Sequence, residues 1–246
     1  MLHCDPESRV CTLPEAEQDA IPHATAATRA TVRYVGDPMC SWCWGLSPTL
    51  KELAAYCAGH NLGFSVHMGG LRPGGGDAWN SAFKAFLRNE WEHIGQATGQ
   101  PFGFSLLEAA DFDYDTEPAC RAVVAMSKLL AGADPDSRRL LAFLAAIQHR
   151  FYVEGEDPKT PEFYRDPCAS VSVAHEAFVA LFLSAEAGLA TRKEFQRCRA
   201  WGVRGFPSLL LEIEGRMRLL ASGYADSGSL IDRLEASLKT LSPKTE

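Results

Sequence analysis

The stretch TVRYVGDPMCSWCWG, residues 31–45, contains the signals that decide the fold. Residues 31–35 are rich in β-branched residues and alternate in polarity, which predicts a strand. Gly36-Asp-Pro38 predicts a turn that ends this strand. Two cysteines, Cys40 and Cys43, follow at once. The pattern therefore places a cysteine pair just beyond the carboxyl end of a strand.

The segment that begins with the cysteines is predicted to be a helix. Its apolar residues recur with a helical period as far as Gly59, which is a candidate C-cap. Residues 62–69 then alternate, with Phe64, Val66 and Met68 on one face, and predict a second strand. Strand, helix and strand in this order form the unit of a parallel sheet.

The middle of the chain has a different character. Residues 72–76, RPGGG, predict a loop. The sequence that follows predicts a series of helices that are separated by prolines. Helices are predicted at residues 78–98, 118–132, 137–153, 174–188 and 192–201. Strand character returns at 208–213 and 216–221, joined as a hairpin at Glu214-Gly215, and a last amphipathic helix is predicted at 227–241.

Cys40 and Cys43 are spaced for thiol–disulfide exchange. Residues three apart share one face of a helix, so the two sulfurs can approach bonding distance. The helix N-terminus, with its unpaired N–H groups and positive dipole end, is expected to depress the pKa of Cys40, the more exposed thiol. Cys40 is thus the expected nucleophile and Cys43 the resolving thiol, and such a pair needs no cofactor.

A CxxC pair can also be half of a zinc site, or two structural cysteines. Zinc would need a second close ligand pair. The chain has neither a second CxxC nor an HxxxH, and Cys57, Cys120, Cys168 and Cys198 are widely spaced. No metal site is therefore predicted, and these four cysteines are expected to be small buried hydrophobes. The strand–turn–helix context favours redox chemistry for the pair.

Residues 34–45, YVGDPMCSWCWG, resemble the active-site segment of the DsbA family of thioredoxin-like proteins, particularly its FrnE-like soluble branch. A second similarity lies at residues 202–208, GVRGFPS. In that family a cis proline faces the cysteine pair, so the resemblance implies a cis bond between Phe206 and Pro207. A cis bond costs little only before proline, and it would present backbone groups near residue 206 to an extended substrate. An ordinary trans turn is the alternative.

The resemblance implies an α/β protein with a thioredoxin-like fold and a large all-helical insertion between the βαβ half and the ββα half. The thioredoxin-like domain is expected at residues 30–70 and 202–246, with the insertion at 71–201. Residues 1–29 contain three prolines and show neither helix nor strand periodicity. They predict an extended or flexible leader.

Composition narrows the possible partners and location. Of 246 residues, 46% are hydrophobic and 22% charged, as in ordinary globular proteins. The net charge is −7 and no basic run occurs, so nucleic acid is not an expected partner. No apolar stretch reaches the about 18 residues of a membrane span, and the N-terminus lacks a signal-peptide pattern. A cytoplasmic protein is expected, where paired cysteines indicate catalysis rather than structural disulfides.

Several residues near the pair are candidates for substrate contact. The rings of Trp42 and Trp44 could shield the disulfide or offer an apolar surface to a substrate beside Phe206 and Pro207, and core packing of at least one of them is the alternative. Asp37 could accept a proton or tune Cys43, but Asp-Pro is also a common turn starter.

Two further cysteines, Cys4 and Cys11, are close enough in sequence to pair. We expect them to act as an accessory redox pair that exchanges with Cys40, because a tethered dithiol has a high effective concentration. The alternative is two exposed thiols on a disordered tail.

The chain is therefore predicted to be a disulfide oxidoreductase or isomerase acting on disulfide-containing proteins or small thiols, glutathione among them. Two other functions remain open. Kappa-class glutathione transferases and hydroxychromene carboxylate isomerases resemble the expected architecture, but they typically carry serine at the first position of the pair. A redox-sensing chaperone or binding module is the second alternative, and an insulin reduction assay separates it from an oxidoreductase.

Overall fold

The computed structural model describes residues 3–5, 7, 10–12 and 30–240. Its strands are β1 (His3–Asp5), β2 (Val10–Thr12), β3 (Ala30–Gly36), β4 (Gly63–Met68), β5 (Gly205–Phe206), β6 (Ser208–Ile213) and β7 (Arg216–Ser222). Its helices are α1 (Ser41–Gly59), α2 (Ser81–Thr98), α3 (Glu117–Leu129), α4 (Arg138–His149), α5 (Arg165–Ser170), α6 (His175–Phe182), α7 (Ala185–Ala200) and α8 (Ser227–Lys239). Short 3₁₀ turns lie at Ser105–Glu108 and Pro161–Tyr164, and a π-helical turn, Arg150–Glu154, follows α4.

Four strands form the central sheet in the order β4-β3-β6-β7. β3 and β4 are parallel, as the strand–helix–strand pattern predicts, with Val32 opposite Phe64. β6 runs antiparallel to both β3 and β7, and β6 and β7 form the predicted hairpin. Its turn residues Glu214 and Gly215 have φ values of 51° and 76°, a region that glycine enters without steric cost. This sheet, with α1 packed on β4 and α8, confirms the thioredoxin-like fold.

The region between β4 and β5 contains the predicted helical insertion, α2 to α7. The boundaries predicted for the last two helices of the insertion are wrong: the helix expected at 174–188 is divided between α6 and α7, and the break expected between 188 and 192 lies inside α7. Ser184 separates them: its Oγ accepts the N–H of Ala187 as the N-cap of α7, which satisfies a donor that the helix itself leaves unpaired. None of the helices in the described ranges combines the length and the apolar character that crossing a bilayer requires.

Two apolar cores meet at the start of α1. The larger core lies between the central sheet and its helices and includes Trp42 and Phe206. The second is mainly aromatic and includes Trp44 and Trp91, whose ring lies 5.3 Å from that of Tyr152, edge to face. The first turn of α1 is therefore fixed from two sides.

The segment before Ala30 contains strands that the sequence pattern did not predict. β1 pairs antiparallel with β2, and β2 pairs antiparallel with β5, so the three form a second, small sheet. Strands of three residues are too short to show an alternation, which is why the pattern gave no signal. The remaining leader residues lie outside the described part of the chain.

Candidate active site

The cysteine pair lies at the junction of β3 and α1. Cys40 is the N-cap of α1, in an extended conformation, and its carbonyl accepts the N–H groups of Cys43 at 2.9 Å and Trp44 at 3.1 Å. The N–H of Cys40 donates to the carbonyl of Asp37 at 3.1 Å, which closes the predicted turn. Both cysteines are free thiols. The local hydrogen bonds thus set the two thiols within the first helical turn.

The Phe206-Pro207 bond is cis and lies beside this pair, which confirms the prediction drawn from residues 202–208. The Cys40 thiol donates to the carbonyl oxygen of Phe206 across 3.7 Å, although 166 residues separate them in sequence. The Phe206 ring is fully buried and packs over Gly69, where an added Cβ would lie 2.1 Å from two ring atoms. The position of that ring therefore leaves no room for a side chain at Gly69.

The expected depression of the Cys40 pKa is wrong in this structure. Cys40 is only 1% exposed. Burial raises its pKa well above the ordinary thiol value, and the neighbouring Cys43 and the Asp37 charge add to the rise. The N–H of Cys43 favours the thiolate, but a helix end contributes only about 0.3–1 kcal/mol, less than the roughly 1.4 kcal/mol of one pKa unit. Desolvation therefore outweighs the helix dipole.

Asp37 anchors the loop that carries the pair. Its buried carboxylate accepts the N–H of Met39 at 2.8 Å and that of Leu71 at 2.7 Å, and the Cys120 thiol donates to it at 3.2 Å. Burial raises the pKa of Asp37, and these hydrogen bonds oppose the rise. The carboxyl group thus joins the active-site loop, the loop after β4 and helix α3.

Tyr34 is a site residue that the sequence analysis missed. Its side chain is fully buried, and burial raises the pKa of its hydroxyl, with the neighbouring Cys43 thiol adding to the effect. A Cβ added to Gly36 would lie only 2.0 Å from this hydroxyl oxygen. The signal available in the sequence was the strand alternation, which places Tyr34 and Gly36 on one face of β3.

The two tryptophans are buried in the cores rather than presented to solvent. Trp42 is fully buried, with its ring 5.8 Å from that of His93. Trp44 is 5% exposed, and its Nε1 donates to the carbonyl of Pro101 at 2.9 Å. This placement corresponds to the core-packing alternative, so neither ring forms an open substrate surface in this structure.

The accessory cysteines are placed by the small sheet. The register sets Cys4 opposite Cys11 and Cys11 opposite Phe206. The topology therefore brings the backbone of the second cysteine pair to the strand that contacts Cys40. Among the described residues, no group of three or more His, Cys, Asp or Glu side chains is arranged to bind a metal ion.

The chain matches no protein-family model and has no significant match among curated proteins. Its structure is similar to a Nitrosomonas europaea protein assigned provisionally as a protein disulfide isomerase. The two are 31% identical, with a TM-score of 0.74 over 87% of this chain and 99% of that one. The cytosolic disulfide reductase DsbM of Pseudomonas aeruginosa is 30% identical, with a TM-score of 0.69 over 85% of this chain and 99% of DsbM.

Two further structures also match the chain. DsbM with GSH is 28% identical to this chain and matches it with a TM-score of 0.65 over 85% of this chain and 99% of that one. A 2-hydroxychromene-2-carboxylate isomerase matches with a TM-score of 0.55 at 14% identity, over 86% of this chain and 95% of the isomerase. The second likeness concerns the fold alone.

Proposed function

Because the chain belongs to the DsbA-like family of thioredoxin-fold thiol–disulfide oxidoreductases, we propose that it works as a disulfide reductase with Cys40 as the attacking thiol. The Cys40 thiolate attacks one sulfur of a substrate disulfide, and the other sulfur leaves and takes up a proton. Cys43 then attacks Cys40, which releases the reduced substrate and leaves a Cys40–Cys43 disulfide. Two electrons pass to the substrate in each cycle.

The observation that carries this proposal is the buried Cys40 thiol between Cys43 and the Phe206 carbonyl. A dithiol couple becomes a strong oxidant when its reduced form is stabilised, as occurs in DsbA. Here the groups around the thiol act in the opposite direction, because burial, Cys43 and Asp37 all disfavour the thiolate. A pair without thiolate stabilisation gives its electrons up readily, which supports reduction over oxidation. The 30% identity to a cytosolic disulfide reductase supports the same direction.

We propose glutathione as the thiol that regenerates the pair. Two glutathione molecules would reduce the Cys40–Cys43 disulfide in two exchanges and leave as glutathione disulfide. The structure of DsbM with GSH supports this choice of reductant, and the cytosolic setting of DsbM supports the cytoplasm as the location of this chain.

We propose that the substrate chain lies extended along β5 beside Phe206 and Pro207. Strand addition at a sheet edge lets main-chain hydrogen bonds hold a peptide without regard to its sequence. β5 accepts a strand in this way within the chain itself, since β2 pairs with it.

The reduction potential of the Cys40–Cys43 couple tests the proposed direction. In glutathione buffers, with intrinsic tryptophan fluorescence as the readout, we expect a value between about −200 and −270 mV, the range of glutaredoxins and thioredoxin. A value near the about −120 mV of DsbA would contradict the reductase assignment.

Trapping tests the two cysteine roles. Cys43→Ser should accumulate mixed disulfides with insulin or glutathione at Cys40, since the resolving thiol is gone. Cys40→Ser is the matched control and should form none and reduce no insulin. Equal accumulation of mixed disulfides by the two variants would overturn the assignment.

A further inference from the structure

The small sheet links the second cysteine pair to the active site. β1 and β2 set Cys4 directly opposite Cys11. β2 continues the sheet onto β5, with Cys11 opposite Phe206 and Thr12 opposite Gly205. The carbonyl of Phe206 contacts the Cys40 thiol. A path of directly neighbouring residues therefore leads from Cys4 through Cys11 and Phe206 to Cys40.

The spacing of an antiparallel pair suits a disulfide within the hairpin. Directly opposed residues have Cα atoms about 4.5 to 5.5 Å apart. A disulfide joins residues whose Cα atoms are about 4.4 to 6.8 Å apart, so the Cys4–Cys11 register falls within this range. The same cross-strand distance separates the backbone of Cys11 from that of Phe206.

We propose that Cys4 and Cys11 form a second redox couple, which exchanges electrons with Cys40 and Cys43 while β2 occupies the strand position that a substrate takes on β5. The hairpin is in this sense an intramolecular substrate. The proposal rests on the function proposed above, because it uses the same attacking thiol and the same strand, β5, as the place where a substrate docks.

The exchange needs no outside oxidant. The Cys40 thiolate attacks the sulfur of Cys11 in a Cys4–Cys11 disulfide; that bond breaks, and Cys4 leaves as a thiolate that takes up the proton lost by Cys40. Cys43 then loses a proton and attacks Cys40, which forms the Cys40–Cys43 disulfide and releases Cys11 to accept that proton. Two electrons have moved from the active-site pair to the hairpin pair, and the reverse sequence returns them.

Burial of the active site supports this arrangement. Cys40 is 1% exposed and the edge of β5 is already paired. An external disulfide must displace β2 to lie beside Phe206, whereas Cys11 is already in register with it. The first disulfide that Cys40 meets is therefore the one on its own chain.

The test is an intrachain trap in the full-length Cys43→Ser variant. Trypsin puts Cys4 in residues 1–9, Cys11 in residues 10–29 and Cys40 in residues 34–51. In a glutathione redox buffer we expect peptide 34–51 to be disulfide-linked mainly to peptide 10–29. A tether gives an effective concentration of about 1 mM, so at 10 µM protein the intrachain link should exceed interchain links by roughly 100-fold.

Two double variants make the test specific. Cys43→Ser with Cys11→Ala should lose the link, and Cys43→Ser with Cys57→Ala should retain it. If peptide 34–51 captures glutathione or insulin but never peptide 10–29, the second couple is disproved while the reductase function stands. If Cys40 captures nothing at all, the reductase function itself fails.

A redox titration of the otherwise unaltered chain gives a second readout. The wild-type protein should take up four electrons per chain in two couples, and Cys4→Ala with Cys11→Ala should take up two. Two electrons in both proteins would disprove the hairpin couple.

Discussion

Replacing Gly69 with alanine should disturb the active site without altering either cysteine. The new Cβ would stand 2.1 Å from the Cε1 and Cζ atoms of the Phe206 ring. Carbon atoms rest about 3.5 Å apart, so the ring must retreat by roughly 1.4 Å. The ring is fully buried and interiors are close-packed, so the Phe206 backbone has to move with it. That backbone carries the carbonyl group that contacts the Cys40 thiol.

The cost follows from the overlap. Overpacking of a core costs about 1–3 kcal/mol. For a chain of this size each 1 kcal/mol shifts Tm by roughly 2–4 °C, so Gly69→Ala should lower Tm by about 2–12 °C. Insulin reduction should slow as well, because β5, the strand proposed to hold the substrate, is displaced. Circular dichroism melting and turbidity of reduced insulin measure the two effects.

The chain offers a matched control in Gly59→Ala. Gly59 is the last residue of α1, and a Cβ there meets no atom within 4 Å. Alanine is the better helix former, so this variant should be unchanged or slightly more stable. If Gly69→Ala melts and turns over like the wild type, then the packing of Phe206 on Gly69 does not position β5 beside Cys40.

Three further outcomes are expected. Asp37→Asn removes a buried negative charge that raises the pKa of Cys40, so the thiolate absorbance should appear at lower pH than in the wild type; an unmoved titration would exclude that charge effect. Alkylation of Cys40, measured on peptide 34–51 of the Cys43→Ser variant, should keep rising above pH 8.5, about the pKa of a free thiol, because the pKa of Cys40 is raised; a plateau below that pH would contradict this. Thr12→Pro removes an N–H from the middle strand of the small sheet, so alkylation of Cys40 should accelerate; an unchanged rate would show that β2 does not cover the site.

Much of the site could be predicted from local sequence. The strand–turn–helix pattern places Cys40 and Cys43 correctly, since both positions depend on hydrogen bonds within a few residues. The cis bond before Pro207 followed from a resemblance, because base rates alone favour trans. Its approach to Cys40 depends on the path of β6 beside β3, which only the assembled sheet determines.

The predictions that are wrong concern properties that tertiary contacts determine. A helix N-terminus is visible in the sequence and predicts a lowered pKa for Cys40, whereas the burial that raises it involves residues distant along the chain, Phe206 among them. Trp42 and Trp44 are two positions apart on α1, which turns their side chains toward different cores. Ser184 interrupts a helical period that is otherwise continuous, and a single cap residue does not alter that period.

Access to Cys40, rather than the amount of thiolate, is the stronger control on its reactivity. Each unit of raised pKa lowers the thiolate fraction tenfold at neutral pH, but nucleophilicity rises with a Brønsted slope of about 0.4–0.5, so the net loss is only about three- to fourfold. A thiol that is 1% exposed loses far more, because an external disulfide cannot approach along the sulfur–sulfur axis while the thiol is covered. We expect displacement of β2 from β5 to open that approach and to rehydrate the thiol, which would lower its pKa. The two effects act in the same direction, so opening the hairpin should increase the exchange rate by more than the pKa change alone can account for.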